Sequence, residues 1–189
     1  MDKFCTVAIS DKLLDKVEFI IVPVNHFHMN NFTIDEKDMA PERRADALVT
    51  HIRSLLEKDL PFHKVGIAHL SAPCVAGTCA ENIRYHLDIL DMIEDSTFRE
   101  LFEDAAKKGV GIELNISEEV FEKYTKEEID RRFRIYKIAK ECGCKFYLGS
   151  DAHQPKDFEK AIMRFNGAID ILDLKEVDKF DFGSIRRKC

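Results

Sequence analysis

The chain has 189 residues, 45% of them hydrophobic, with a formal net charge of −6 and an isoelectric point near 5.7. That is enough apolar material for a core without disulfide or metal scaffolding, and the acidic balance argues against a nucleic-acid-binding face, which requires clustered Lys and Arg. No apolar stretch approaches the length of a membrane span and the first residues lack the charged-then-apolar pattern of a signal peptide, so one cytoplasmic domain over residues 1–189 is expected.

The first apolar run, VEFIIVPV over residues 17–24, stops at Asn25-His26, and His26 and His28 form an H-x-H pair. If the strand continues through them, both imidazoles fall on one side; if it ends at Val24, spacing does not decide. After Pro41, which suits a first helical turn, Ala45, Leu48, Val49, Ile52, Leu55 and Leu56 keep the three-four spacing of a one-faced helix. Arg43, Arg44 and Arg84 read as helix surface, and so do His51, His63 and His86. VGIA at 65–68 predicts a second strand that stops at His69, and a lone strand-end His serves as a hydrogen-bonded core-edge residue as readily as a ligand.

Two helices are expected next. One runs from about 81 to 94 with Ile83, Leu87, Leu90 and Ile93 on its apolar face, and the other carries Phe98, Leu101, Phe102 and Ala105 before a stop at Gly109. A third strand, VGIEL at 110–114, ends at Asn115; strict alternation puts Glu113 and Asn115 on the same side, and both read as site support. Thr125 and Glu128 form a capping-box pair that opens a helix bearing Ile129, Phe133, Tyr136 and Ala139 before Gly143. KFYL at 145–148 then predicts a fourth strand, followed by Gly149-Ser150-Asp151-Ala152-His153. Asp151 and His153 can both face a metal across the small Ala152; equally, Asp151 can cap a helix after Pro155. From Gly167 to Gly183 a short helix and a closing segment packed outside the sheet are expected.

Strand and helix alternate, which predicts an α/β domain of about four parallel strands with flanking crossover helices. In such a sheet the residues just past the carboxyl ends share one rim, where α/β folds build their sites. Imidazoles and a carboxylate gathered there point to metal-assisted hydrolysis, of phosphoester or of carbon–nitrogen bonds. No glycine-rich phosphate loop is present. The six cysteines, Cys5, Cys74, Cys79, Cys142, Cys144 and Cys189, are irregularly spaced and read as reduced thiols, and the basic end Arg186-Arg187-Lys188 as a solvated tail.

Together these residues resemble the PHP family, the metal-dependent phosphoesterases named for polymerase and histidinol phosphatase. The segment from Gly149 to His153 is similar to the family's final motif, residues 15–28 to its strand with the histidine after the middle motif, residues 65–73 to the next histidine strand, and residues 110–115 to the strand ending in Glu-Leu-Asn. The resemblance implies the C-terminal portion of a distorted seven-stranded (β/α) barrel, with zinc, manganese or iron bound by His26, His69, Asp151 and His153, supported by Asn115 and Glu113. It implies a phosphorylated small molecule as substrate. The family's opening H-x-H and its bridging Glu have no counterpart before residue 15, so fewer metals are expected, with His28 as a substitute ligand or phosphate contact. A non-catalytic member that binds metal or phosphate, or a chain that associates through its exposed first sheet edge with a copy or with a partner supplying the remaining strands, is the alternative expectation.

Overall fold

A computed structural model describes residues 1–27, 29, 31–35, 40–71 and 80–183. His28, Cys74, Cys79, Cys189 and the tail Arg186-Arg187-Lys188 lie outside the described residues. The four apolar runs form four short strands, β1 (Ile20–Pro23), β2 (Val65–Ala68), β3 (Gly111–Leu114) and β4 (Lys145–Leu148), paired in parallel in the order β1-β2-β3-β4. The pairings Val22 to Ile67, Ile67 to Ile112 and Ile112 to Phe146 set the registers. Sequential neighbours in parallel demand a crossover each time, and helices supply it.

After a single turn, α1 (Asp11–Leu14), come α2 (Pro41–Leu56), α3 (Ala80–Asp91), α4 (Asp95–Lys108), α5 (Glu118–Lys123), α6 (Lys126–Glu141) and α7 (Ala161–Leu172). Pro41 occupies the start of α2, where its missing N–H costs nothing. Gly109 ends α4 at φ 75°, a left-handed cap that a side chain would strain. At α6 the capping box is complete: Glu128 N–H donates to Thr125 Oγ1 at 3.2 Å, and Thr125 N–H donates to Glu128 Oε2 at 2.8 Å. The last helix begins at Ala161, ahead of the Gly167–Gly183 stretch expected to hold a short helix, and takes in Gly167, whose missing Cβ leaves room for the Phe121 ring 2.7 Å from where that carbon would stand.

The two faces of the sheet differ. Ile20, Val22, Val65, Ile67, Ile112, Leu114 and Phe146 join Leu48, Ile52 and Leu55 of α2, Phe98 and Phe102 of α4 and Phe133 of α6 in one continuous core. On the other face Tyr147 lies across Gly66 and Gly111, where a Cβ would meet its ring at 2.5 and 3.1 Å. Phe19, Phe180 and Phe182 complete that cover, with ring centroids 5.0–5.3 Å from Phe19 to Tyr147, Phe180 and Phe182. After a 3-10 turn at Glu176–Asp178, the Phe180 amide donates to the Phe146 carbonyl at 2.8 Å, so the closing segment docks beside β4.

β1 is an end strand. The Val24 amide donates to the Ala68 carbonyl at 3.1 Å, so by the parallel pattern Val22 and Val24 address β2 while Ile21 and Pro23 address the outside. Pro23 has no amide hydrogen, and the Met1 amine donates to its carbonyl at 3.2 Å. The outward edge therefore reduces to Ile21, whose side chain is 55% exposed. Among the described residues no helix is long and apolar enough to cross a membrane.

Candidate functional site

Three strand ends converge on one rim. His69 follows β2 directly and its backbone turns left-handed, φ 57°, so its amide donates to Glu113 Oε2 of β3 at 2.9 Å. Asp151, three residues past β4, is left-handed too, at φ 51°, and presents Oδ1 to His69 Nε2 at 3.8 Å. The His26 ring, beyond β1, meets the His69 ring edge-on with centroids 4.5 Å apart. Positive φ is uncommon outside glycine, less so for Asp, Asn and His, and holding two such residues at one place requires the surrounding bonds to outweigh the strain.

Glu113 is the buried member, 5% exposed. Burial pushes its carboxyl above the usual range, the His69 amide and the His69 ring pull it back, the Asp151 charge adds to the rise, and the Asn115 side chain hydrogen-bonds it. Glu113 and Asn115 thus share one side, as alternation along β3 requires. Gly149 is what admits the carboxyl: a Cβ there would stand 1.9 Å from Glu113 Oε1.

His153 is placed differently. Its ring Nδ1 donates to the Asp151 carbonyl at 2.8 Å and its amide to Asp157 Oδ2 at 2.9 Å, and neither bond joins it to the His26 and His69 rings. With Nδ1 carrying the hydrogen, Nε2 is the nitrogen left to bind a proton or a metal. Asp157, not Asp151, caps the 3-10 turn Pro155–Phe158, so the capping alternative for Asp151 does not hold.

The loop that carries His26 is tied down by side chains that sequence reasoning placed on the surface. His51 of α2, 3% exposed, donates from Nδ1 to the Val24 carbonyl at 3.0 Å, and Arg44, 1% exposed, donates from Nη1 to the Phe27 carbonyl at 3.3 Å. Thr33 Oγ1 donates to the His26 carbonyl at 2.6 Å. Arg44, Leu48, His51 and Leu55 keep four-three-four spacing, so the two polar residues lie on the apolar stripe, and that position was the available signal. His86 is also buried, 1% exposed, while His63 is exposed as expected. Cys5, Cys142 and Cys144 are free thiols, and burial pushes Cys144 up to about 12.

Donor chemistry at the rim suits a divalent cation: imidazole nitrogen and carboxylate oxygen, two of them 3.8 Å apart. Two donors of one tetrahedral zinc stand about 3.4 Å apart, so His69 and Asp151 are two residues that could hold such an ion after a small closure. Among the described residues, no three His, Cys, Asp or Glu side chains already stand at metal-enclosing distance. No protein-family model, curated protein or solved structure matches the chain.

Proposed function

We propose that the chain is a PHP-type metal-dependent phosphoesterase, its sheet and helices corresponding to the C-terminal portion of that family's barrel, with His26, His69 and Asp151 as the principal ligands and His153 as a further one. The observation that carries this reading is the meeting of His26, His69 and Asp151 from three strand ends around the buried Glu113. A divalent zinc, manganese or iron ion held there would supply the Lewis acidity that phosphoester hydrolysis needs. The chain's own contribution is orientation. Glu113 anchors His69 through its amide, and Asn115 steadies Glu113 in turn. Asp151 keeps a half-exposed carboxylate at the rim, and His153, whose Nδ1 is committed to the Asp151 carbonyl, would offer Nε2 as the further ligand.

Elemental analysis of the purified chain, alone and as His69→Ala, tests the reading. Near-stoichiometric zinc, manganese or iron that falls in the variant, with hydrolysis of p-nitrophenyl phosphate falling alongside, is the expected result; equal metal in both proteins, or none in either, sinks it. A second reading, a metal- or phosphate-binding protein without turnover, is favoured by one observation: the gathered donors stop short of a closed three-ligand set among the described residues. Retained metal with no hydrolysis would select it. In either case we propose self-association of the chain along β1, through the exposed Ile21.

A further inference from the structure

Beside Asp151 a cavity of about 450 Å³ opens between the end of β4 and the start of α7, within the roughly 300–1,000 Å³ of small-molecule sites. Lys156, Lys160 and Arg164 follow one another at four-residue intervals through the 3-10 turn and into α7, and all three line this space. Ser117 and Ser150 add hydroxyls and Asn115 an amide. The cavity therefore adjoins the candidate ligands through Asp151 and their support through Asn115.

Three carboxylates, Asp151, Asp157 and Glu159, share the lining with the three cations. Asp157 Oδ2 accepts the amides of His153 and Gln154 at 2.9 Å each, and Asp151 Oδ1 faces His69. Formal charge in the lining is balanced, and an anion there would be held by directed bonds from the cationic side chains and not by a net positive field. Lys160 also reaches Glu122 at 3.4 Å, but both side chains are about half exposed and such a pair is weak. Arg164 is held against the wall by Nη2, which donates to the Ser150 carbonyl at 3.4 Å and to the Asp157 carbonyl at 3.2 Å. Its Nε is buried with no hydrogen-bond acceptor among the described residues, which costs free energy but keeps that atom out of a ligand's reach. A guanidinium oriented by carbonyls at a cavity wall is suited to an oxyanion.

We propose that this cavity is an anion subsite that takes a phosphate group, held by Arg164, Lys156 and Lys160 and hydrogen-bonded by Ser117 and Ser150. As a place for substrate phosphate it rests on the phosphoesterase reading; as an anion site it stands on its own geometry. The test is calorimetric titration of inorganic phosphate into the full chain after chelator treatment and dialysis, so that no metal contributes. Saturable binding is expected, weakened about tenfold in Arg164→Gln and measurably in Lys156→Gln, an exposed position whose change does not threaten folding. No saturable binding, or equal binding in wild type and both variants, overturns the proposal. Hydrolysis of p-nitrophenyl phosphate by the zinc-loaded chain is read separately. Turnover without phosphate binding by the stripped chain would remove the subsite alone, and phosphate binding without turnover would remove the hydrolase reading alone.

Discussion

A carbon added at Gly149 would press on the whole Glu113 side chain, 1.9 Å from Oε1, 2.5 Å from Cδ and 2.7 Å from Cγ. Only movement of Glu113 relieves that overlap, and movement breaks its bonds to the His69 amide and the Asn115 side chain. Gly149→Ala is therefore expected to cost on the order of 1–3 kcal/mol in chemical unfolding. In a Glu113→Ala background the same change should cost almost nothing, because the clash partner is gone; equal costs in both backgrounds would mean that Gly149 does not serve Glu113. At this scale the candidate residues were legible, since His26, His69, Asn115 and Asp151 each end an apolar run, and so was the shared side of Glu113 and Asn115. Arg44 and His51 were not, because a polar residue on an apolar stripe is read outward by default and only the carbonyls of Val24 and Phe27 explain why it turns in.

Among the described residues both end strands lack a strand on their outer side, but β4 is bridged there to Lys179 and β1 is not. Pro23 and the Met1 amine blunt most of the outer side of β1, and Ile21 is what remains. Self-association along this edge should appear as a scattering mass that rises with concentration and stays at one chain in Ile21→Lys. A single-chain mass at every concentration for the wild type would remove the association. The helices were the most readable elements: the apolar positions of α2 and α4, the Gly109 stop and the Thr125–Glu128 box are all local signals, decided by spacing within one or two turns. The start of α7 was less readable because Lys160, its N-cap, makes no side-chain cap bond and marks nothing in the sequence.

Across the whole molecule, buried histidines set the response to acid. His86 is pushed down to about 3 by burial and by the nearby Arg132, against a hydrogen bond to the Ser71 backbone, and burial lowers His51 as well. Between about 3 and the ordinary value of 6.5 the unfolded chain binds the proton that folded His86 refuses, so stability is fully present above 6.5 and falls as pH drops through that window. The loss from His86 is at most about 5 kcal/mol. Glu113 acts in the opposite sense, since its raised pKa favours the folded state at low pH and costs stability as pH rises above the unfolded value of 4.5. Urea midpoints at pH 7 and pH 5 should therefore differ in favour of pH 7, and the difference should shrink in His86→Gln; an unchanged difference would show that His86 is not the buried group responsible.

The amino-acid sequence by itself determined the α/β class, the four strands and their parallel alternation with helices, because apolar period and turn chemistry act over a few residues and need no partner. It also named the residues at the strand ends. Only the tertiary structure decided which of them meet. The left-handed turns at His69 and Asp151 aim one imidazole at one carboxylate, and the ring of His153 turns to a backbone carbonyl. Buried Glu113 becomes the anchor because Gly149, 36 positions later in the chain, leaves it room. Such contacts join segments whose separation along the chain carries no pattern, and they exist only once the sheet has brought the strand ends side by side.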